Sequence, residues 1–276
     1  MVAIQVRKLE DPDGALGVAR TFLLARPVLH NIVLTLLEAR RQRPEPGRYW
    51  VASEGGEVQG VAFQSPLTFE ATVTPMPLAV ARAVADSVAQ EDPALPGVNG
   101  EAATAAAFAG QWSEMTKRPA VPWQGQRIYE ARAISPPQGV PGGPRLGRPS
   151  DRDLFVEWVR AFHDEATPGE PGRPEATVDA RLPAGHMWVW DDGEPRSMTT
   201  LAPATAGVVR VQGVYTPPGE RGHGYAGALV AALSDQVLKQ GDIPALYTDL
   251  GNPVSNSVYR RIGYECVAEV TRYRLG

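Results

Sequence analysis

Val208-Val209-Arg210-Val211-Gln212-Gly213-Val214-Tyr215-Thr216 is an apolar run that stops at a turn, Pro217-Pro218-Gly219-Glu220, and the turn leads into Arg221-Gly222-His223-Gly224-Tyr225-Ala226. From Ala226 onward the apolar residues recur at helical spacing, through Leu229, Val230, Leu233 and Val237. The order is strand, turn, glycine loop, amphipathic helix. Such an order turns several backbone N–H groups and the positive end of a helix dipole toward one point, which suits a phosphate or diphosphate. Gly222 and Gly224 let a ligand approach the backbone with no Cβ in the way. Arg221 adds a charge at the mouth.

Two phosphate-binding motifs are excluded on context. A P-loop needs Gly-Lys-Ser or Gly-Lys-Thr, and neither follows. The dinucleotide pattern G-x-G-x-x-G is formally present in Gly222, Gly224 and Gly227, with Asp242 downstream. In that motif, however, the strand runs directly into the first glycine, whereas Pro217 to Arg221 intervene here. Asp242 precedes the next apolar run, Ala245-Leu246-Tyr247, instead of closing it. Too little chain remains after Gly227 for the further βα units of a doubly wound half.

The pattern Arg-x-x-Gly-x-Ala, after a strand ending Val214-Tyr215-Thr216-Pro217, resembles the coenzyme A loop of the GNAT acyltransferase superfamily. The downstream text agrees. Leu246-Tyr247-Thr248-Asp249 reads as a strand. Asn252-Pro253-Val254-Ser255-Asn256-Ser257-Val258-Tyr259 reads as a short helix, closed by Arg260-Arg261-Ile262-Gly263-Tyr264. This is similar to the superfamily's Asn-x-x-Ser/Ala-x-x-x-Tyr segment. The resemblance implies that acetyl-CoA, as co-substrate, lies between the strand ending at Thr216 and the strand Ala245–Asp249, which family members splay apart. Its pantetheine arm would pair with the backbone of Gly213, Val214, Tyr215 and Thr216. Its diphosphate would sit at Arg221, Gly222, His223, Gly224, Tyr225 and Ala226. Asn252 and Asn256 would bond the pantetheine arm or order the short helix, and Asn252 also reads as a helix N-cap.

The implied reaction is N-acetylation: an amine attacks the thioester and the thiolate leaves. A lysine-like amine, with a pKa near ~10.4, must lose a proton first, and a thiolate whose thiol pKa is roughly 8.5 leaves faster once protonated. Tyr259 stands at the position of the family's general acid; its alternative is a core aromatic with a satisfied hydroxyl. Where family members often carry a carboxylate on the strand before the loop, this chain has Gln212, so no base is legible. His163, Asp164 and Glu165 are base candidates and equally well solvated surface groups. Arg260 and Arg261 could meet the 3′-phosphate of the coenzyme or stand as an exposed basic pair. Trp158, Trp188 and Trp190 read as core. The missing strand carboxylate leaves a rival reading: a module that holds acyl-CoA without turnover.

A chain of 276 residues has room for one large domain or two ordinary ones. A net charge of −4 gives no basic surface for nucleic acid. The single cysteine, Cys266, forbids an intrachain disulfide and suits a reducing, cytoplasmic setting. Four scattered histidines make no metal constellation. Residues 1–7 lack a signal peptide's apolar centre, and no apolar run reaches membrane-spanning length. The expected acceptor is a small-molecule or peptide amine.

The remaining chain reads as the same plan written twice. Residues 2–9 form a strand, and Leu16 to Arg40 one or two helices interrupted at Pro27. Tyr49 to Phe63 makes a hairpin around Gly55-Gly56, and Phe69 to Thr74 a further strand. Pro77 to Gln90 is a helix, Gly97-Val98-Asn99-Gly100 a break, Ala102 to Met115 a helix and Arg127 to Ile134 a closing strand. Ser135 to Pro144 is a proline-glycine linker. Then Arg145 to Arg148 forms a short strand, Ser150 caps a helix through Phe162, and His186 to Ala202 makes a second hairpin. Trp188 follows Trp50 by 138 positions, and Glu194 follows Glu57 by 137. The first copy lacks the loop: Val73-Thr74-Pro75-Met76-Pro77 enters its helix directly, and Trp112 to Met115 stands where Tyr259 would be. The expected fold is α+β, two GNAT-like halves, each a mixed, mostly antiparallel twisted sheet flanked by helices. The expected boundaries are 1–134, linker 135–144, and 145–276. The resemblance is specific only over 145–276.

Overall fold

The computed structural model describes residues 3–166 and 172–276. In chain order the elements are β1 (Ile4–Leu9), α1 (Pro12–Ala25), α2 (Asn31–Gln42), β2 (Arg48–Glu54), β3 (Glu57–Gln64), β4 (Ala71–Val73), α3 (Leu78–Glu91), β5 (Gly97–Glu101), α4 (Ala102–Thr116) and β6 (Ala120–Ala131). They continue as β7 (Gly143–Leu146), α5 (Arg152–Ala166), α6 (Pro174–Arg181), β8 (Met187–Asp191), β9 (Pro195–Leu201), β10 (Val208–Tyr215), α7 (Tyr225–Lys239), β11 (Ile243–Asp249), α8 (Pro253–Arg261) and β12 (Tyr264–Leu275). The second series repeats the first, element for element. The fold class is therefore the expected one: strands and helices mixed, with sheets mostly antiparallel.

The chain divides into two compact units. The first holds residues 1–128, 248–252 and 266–276. Its strands run in the order β1-β2-β3-β4-β5-β12. All pairs are antiparallel except β4 with β5. Alternation along β2 sends Tyr49 and Val51 to one face, against Leu16, Leu23 and Leu37 of α1 and α2. Trp50 and Ala52 face the other way, against Val84 and Val88 of α3 and Phe108 and Trp112 of α4.

The second unit holds residues 129–247 and 253–265. Its strands run β7-β8-β9-β10-β11, antiparallel except for β10 with β11. On one face Met187, Val189, Met198 and Tyr215 pack against Phe155 and Trp158 of α5 and Val178 of α6. On the other, Val211 and Leu246 pack against Val230 of α7 and Tyr259 and Ile262 of α8. Each such fully buried aliphatic or aromatic side chain contributes about 1.5–3 kcal/mol. Within this unit the proline-glycine segment is anchored: Trp190 Nε1 donates to the Pro141 carbonyl at 2.7 Å.

Several expectations need correction. Gly97 to Gly100 is not a break but strand β5, paired with β4 on one side and β12 on the other. Its glycines serve close backbone approach and not a turn: a Cβ at Gly97 would stand 2.6 Å from the Tyr273 carbonyl, and one at Gly100 would collide with Val73. Ser150 caps no helix. It lies inside a short 3-10 turn (Pro149–Asp151) whose first residue is preceded by Arg148, and Asp151 Oδ2 accepts from the Arg148 N–H at 2.7 Å. β6 begins at Ala120, earlier than the expected Arg127. Helix α6 and the long strand β12 were not expected at all.

Candidate functional site

The site is built where β10 ends. β10 pairs with β11 in parallel from Val208↔Ile243 to Val211↔Leu246, and the pairing goes no further, although both strands continue. The strands fork there. The cause is local. Along β9 the register runs Gln212↔Thr200 and then Tyr215↔Met198, so β10 carries one residue too many between them. Gly213 takes this bulge at φ +62, in the left-handed region where a side chain is strained. Side chains of β9 hold the bulge in place. Thr199 Oγ1 and Thr200 Oγ1 donate to the Gln212 carbonyl at 3.1 and 3.0 Å, and Ser197 Oγ donates to the Tyr215 carbonyl at 2.9 Å. Thr216 Oγ1 donates in turn to Ser197 Oγ at 3.0 Å. Sequence reading missed these three buried β9 residues. Their only signal is a polar Ser197-Met198-Thr199-Thr200 run inside a strand.

Beyond the fork, Pro218–Glu220 makes a 3-10 turn and the chain enters α7 at Tyr225 through the loop. Gly222 and Gly224 both sit at φ +85, and a Cβ at Gly222 would meet only open space. Gly224 is the N-cap and has no side chain to occupy the first-turn amides. Gly222, His223 and Gly224 are exposed, while Tyr225 is buried and Ala226 half-buried. The loop therefore offers an uncapped helix start beneath an open, exposed surface, which fits a diphosphate.

Arg221 is held within the loop. Its Nε donates to the Thr216 carbonyl at 2.9 Å and its Nη2 to both Glu165 oxygens at 2.7 and 2.9 Å, with the guanidinium 5.9 Å from the Tyr215 ring centroid. Glu165, a candidate base, is thus committed to an ion pair at the end of α5. His223 stacks on Tyr225, ring centroids 5.6 Å apart. Of the other base candidates, Asp164 is exposed and His163 half-buried.

Tyr259 lies under the fork. It is buried in the cluster that contains Val211 and Leu246, the last paired residues of the two strands. Its ring meets Tyr264 edge-on at 6.1 Å. Gly227 lets α7 and α8 approach closely: a Cβ there would come within 3.2 Å of Val258, the neighbour of Tyr259 on α8. Burial alone pushes the Tyr259 hydroxyl well above its ordinary pKa of 10. Tyr247, on β11, is pushed up to about 12 by burial, opposed by the charge of Arg210.

Asn256 is buried, and its Oδ1 accepts from Tyr129 Oη at 3.0 Å. This bond ties α8 to the end of β6. Asn252 is exposed at the start of α8, where its N–H donates to the Asp249 carbonyl at 3.1 Å. It belongs to the first unit, Asn256 to the second. Arg260 and Arg261 are exposed, and Arg260 Nε donates to the Asn256 carbonyl at 3.2 Å. Trp158 and Trp190 are buried and Trp188 half-buried. The first unit has no fork: β4 is three residues long and paired with β5 along its whole length, and it enters α3 without a glycine.

Residues 203–274 match the family model described as FR47-like protein. That span runs from just before β10 through most of β12. The whole chain matches solved structures of GNAT proteins. An acetyltransferase of the GNAT family from Colwellia psychrerythraea matches at 9% identity and a TM-score of 0.62, covering 99% of this chain and 100% of its own. A GCN5-related N-acetyltransferase from Sphaerobacter thermophilus matches at 17% identity and 0.65, covering 98% and 95%. A tandem GNAT protein from the clavulanic acid biosynthesis pathway matches at 13% and 0.55, covering 98% of each chain. No curated protein sequence matches. The fold is that of the GNAT superfamily, carried over the full length of the chain. Among the described residues no helix is long and apolar enough to cross a membrane.

Proposed function

We propose that the chain is an acetyl-CoA-dependent N-acetyltransferase whose chemistry lies in the second of its two repeated halves. The observation that carries this reading is the fork between β10 and β11, which opens beside an uncapped helix start reached through two left-handed glycines. The bound coenzyme supplies an activated acetyl thioester. The amides from Gly222 to Ala226 would take its diphosphate. The backbone of Gly213, Val214, Tyr215 and Thr216, freed from β11 by the bulge, would take the pantetheine arm. Asn256 orders α8 through Tyr129 and so keeps Tyr259 in place.

In this reading a primary amine attacks the thioester directly, and Tyr259 is the general acid for the departing sulfur. Support comes from its burial beneath the fork and from its raised pKa, which keeps the proton on Oη at neutral pH. The amine gives up its own proton to solvent, since Gln212 occupies the strand position a carboxylate would need. The test is a free-thiol assay with acetyl-CoA and a broad amine panel. Amine-dependent thiol release is expected. Tight coenzyme binding with no release across the panel would instead establish a binding module.

A further inference from the structure

Arg221 stands where the turn after β10 passes into the glycine loop. Its own backbone is extended, at φ −74 and ψ 154. Beyond it, Gly222 and Gly224 sit at φ +85, a conformation that glycine leaves as easily as it enters. The start of the loop therefore needs an anchor, and the Arg221 side chain makes three contacts that can serve. Its Nε donates to the Thr216 carbonyl at 2.9 Å, which closes the turn 217–220. Its guanidinium lies 5.9 Å from the centroid of the Tyr215 ring. Its Nη2 donates to both oxygens of Glu165, at 2.7 and 2.9 Å.

Tyr215 and Thr216 belong to the same stretch of chain as Arg221. Glu165 comes from a separate element, α5, which buried packing already holds to the sheet. Phe155 and Trp158 of α5 share one buried cluster with Tyr215, and the Trp158 and Tyr215 ring centroids are 6.3 Å apart. Glu165 lies two helical turns beyond Trp158, on the same side of α5. The ion pair thus connects the glycine loop to a fixed helix. Other ties stay within the turn: Arg196 Nη1 donates to Glu220 Oε1 at 2.9 Å, and His223 Nδ1 lies 3.2 Å from the Glu220 carbonyl.

The side chains of Arg221 and Glu165 are 48% and 52% exposed, so their pair adds little to global stability. Its consequence is local. With Nε on Thr216 and Nη2 on Glu165, Arg221 is a brace behind the loop. We propose that Glu165 is a positioning residue for the glycine loop. Acting through Arg221, it holds the backbone from Gly222 onward in the conformation that presents its amides to a diphosphate, and it is not the base that deprotonates the amine. The inference rests on the coenzyme reading of that loop.

The test is calorimetric titration of the full chain with coenzyme A, inorganic diphosphate and pantetheine. Glu165→Ala alters only an exposed side chain, and circular dichroism checks that the variant is folded. It should weaken coenzyme A and diphosphate by about three- to fivefold, the size of an exposed ion pair, and leave pantetheine unchanged. Glu165→Gln, which keeps one acceptor oxygen, should recover part of the loss. In an Arg221→Ala background Glu165→Ala should have no further effect, the mark of a residue that acts through another. With the amine that gives the fastest thiol release, the loss should fall on the KM for acetyl-CoA and not on kcat. Unchanged coenzyme affinity in Glu165→Ala, an equal loss for pantetheine, or additive losses in the double variant overturns the inference. So does a fall in kcat on the order of 10² or more, which would make Glu165 the base. Glu165-dependent diphosphate binding without amine-dependent thiol release upholds the positioning role and sinks the transferase. Thiol release with Glu165-independent coenzyme affinity sinks the inference alone. A wild-type chain that binds neither coenzyme A nor diphosphate overturns both.

Discussion

Tyr259 bears the heaviest chemical demand in this account. Its hydroxyl must stay protonated where the sulfur departs, and burial secures this by opposing the phenolate. Tyr259→Phe keeps the ring and its contact with Tyr264 but removes the proton. Turnover should fall by on the order of 10² to 10⁴, with coenzyme affinity nearly unchanged, as steady-state kinetics and titration will read. The pH profile follows from the sign of the shift. A raised pKa leaves the acid form intact through neutral and mildly alkaline pH, so kcat/KM should rise as the amine loses its proton and show no descending limb below about pH 10. A descending limb near pH 8 would assign the acid elsewhere. The glycine turn of Gly222 and Gly224 into α7, and the place of Tyr259 on a short helix after β11, were legible in the sequence because local spacing sets them. Ser197, Thr199 and Thr200 were not. They act on atoms far along the chain, and nothing in their local sequence distinguishes them from surface or strand positions.

The bulge on β10 makes the fork. Were Gln212 followed directly by Val214, β10 would regain its register with β9 and could continue alongside β11. Deleting Gly213 should therefore close the fork and abolish coenzyme binding while the unit remains folded. Circular dichroism with calorimetry separates the two effects; a deletion variant that binds coenzyme normally would show that the bulge is not what opens the site. Helical and hairpin elements could be read from periodicity, since each follows from side chains within its own span. β5 could not. Its Gly97 and Gly100 look like punctuation in isolation, yet they are required by the backbone of Tyr273 and the side chain of Val73 on strands remote in sequence. β12 went unread for a related reason: its alternation is weak, with exposed Glu265, Cys266 and Val267 in succession after Tyr264.

The repeat could be seen in the sequence as matched offsets, but the division of the chain into units could not. The first unit counts Cys266 to Gly276 among its residues, and β12 pairs there with β5 from Val270↔Glu101 to Arg274↔Gly97. A fragment of residues 1–134 lacks that strand and leaves the edge of β5 bare. It should fail to unfold cooperatively in urea, whereas the full chain should; a cooperative transition in the fragment would show that β12 is dispensable to the first unit. The central claim, however, concerns the second half, where a fork, a bulge and an uncapped helix start meet. Isothermal titration of the full chain with acetyl-CoA tests it most directly, with Gly222→Val as the contrast: at φ +85 a β-branched side chain strains the loop backbone as well as standing in the approach to it, and circular dichroism checks that the variant is folded. The account predicts saturable binding at one site per chain, weakened by on the order of tenfold or more in the variant. No heat with acetyl-CoA, or equal affinity in Gly222→Val, would contradict it.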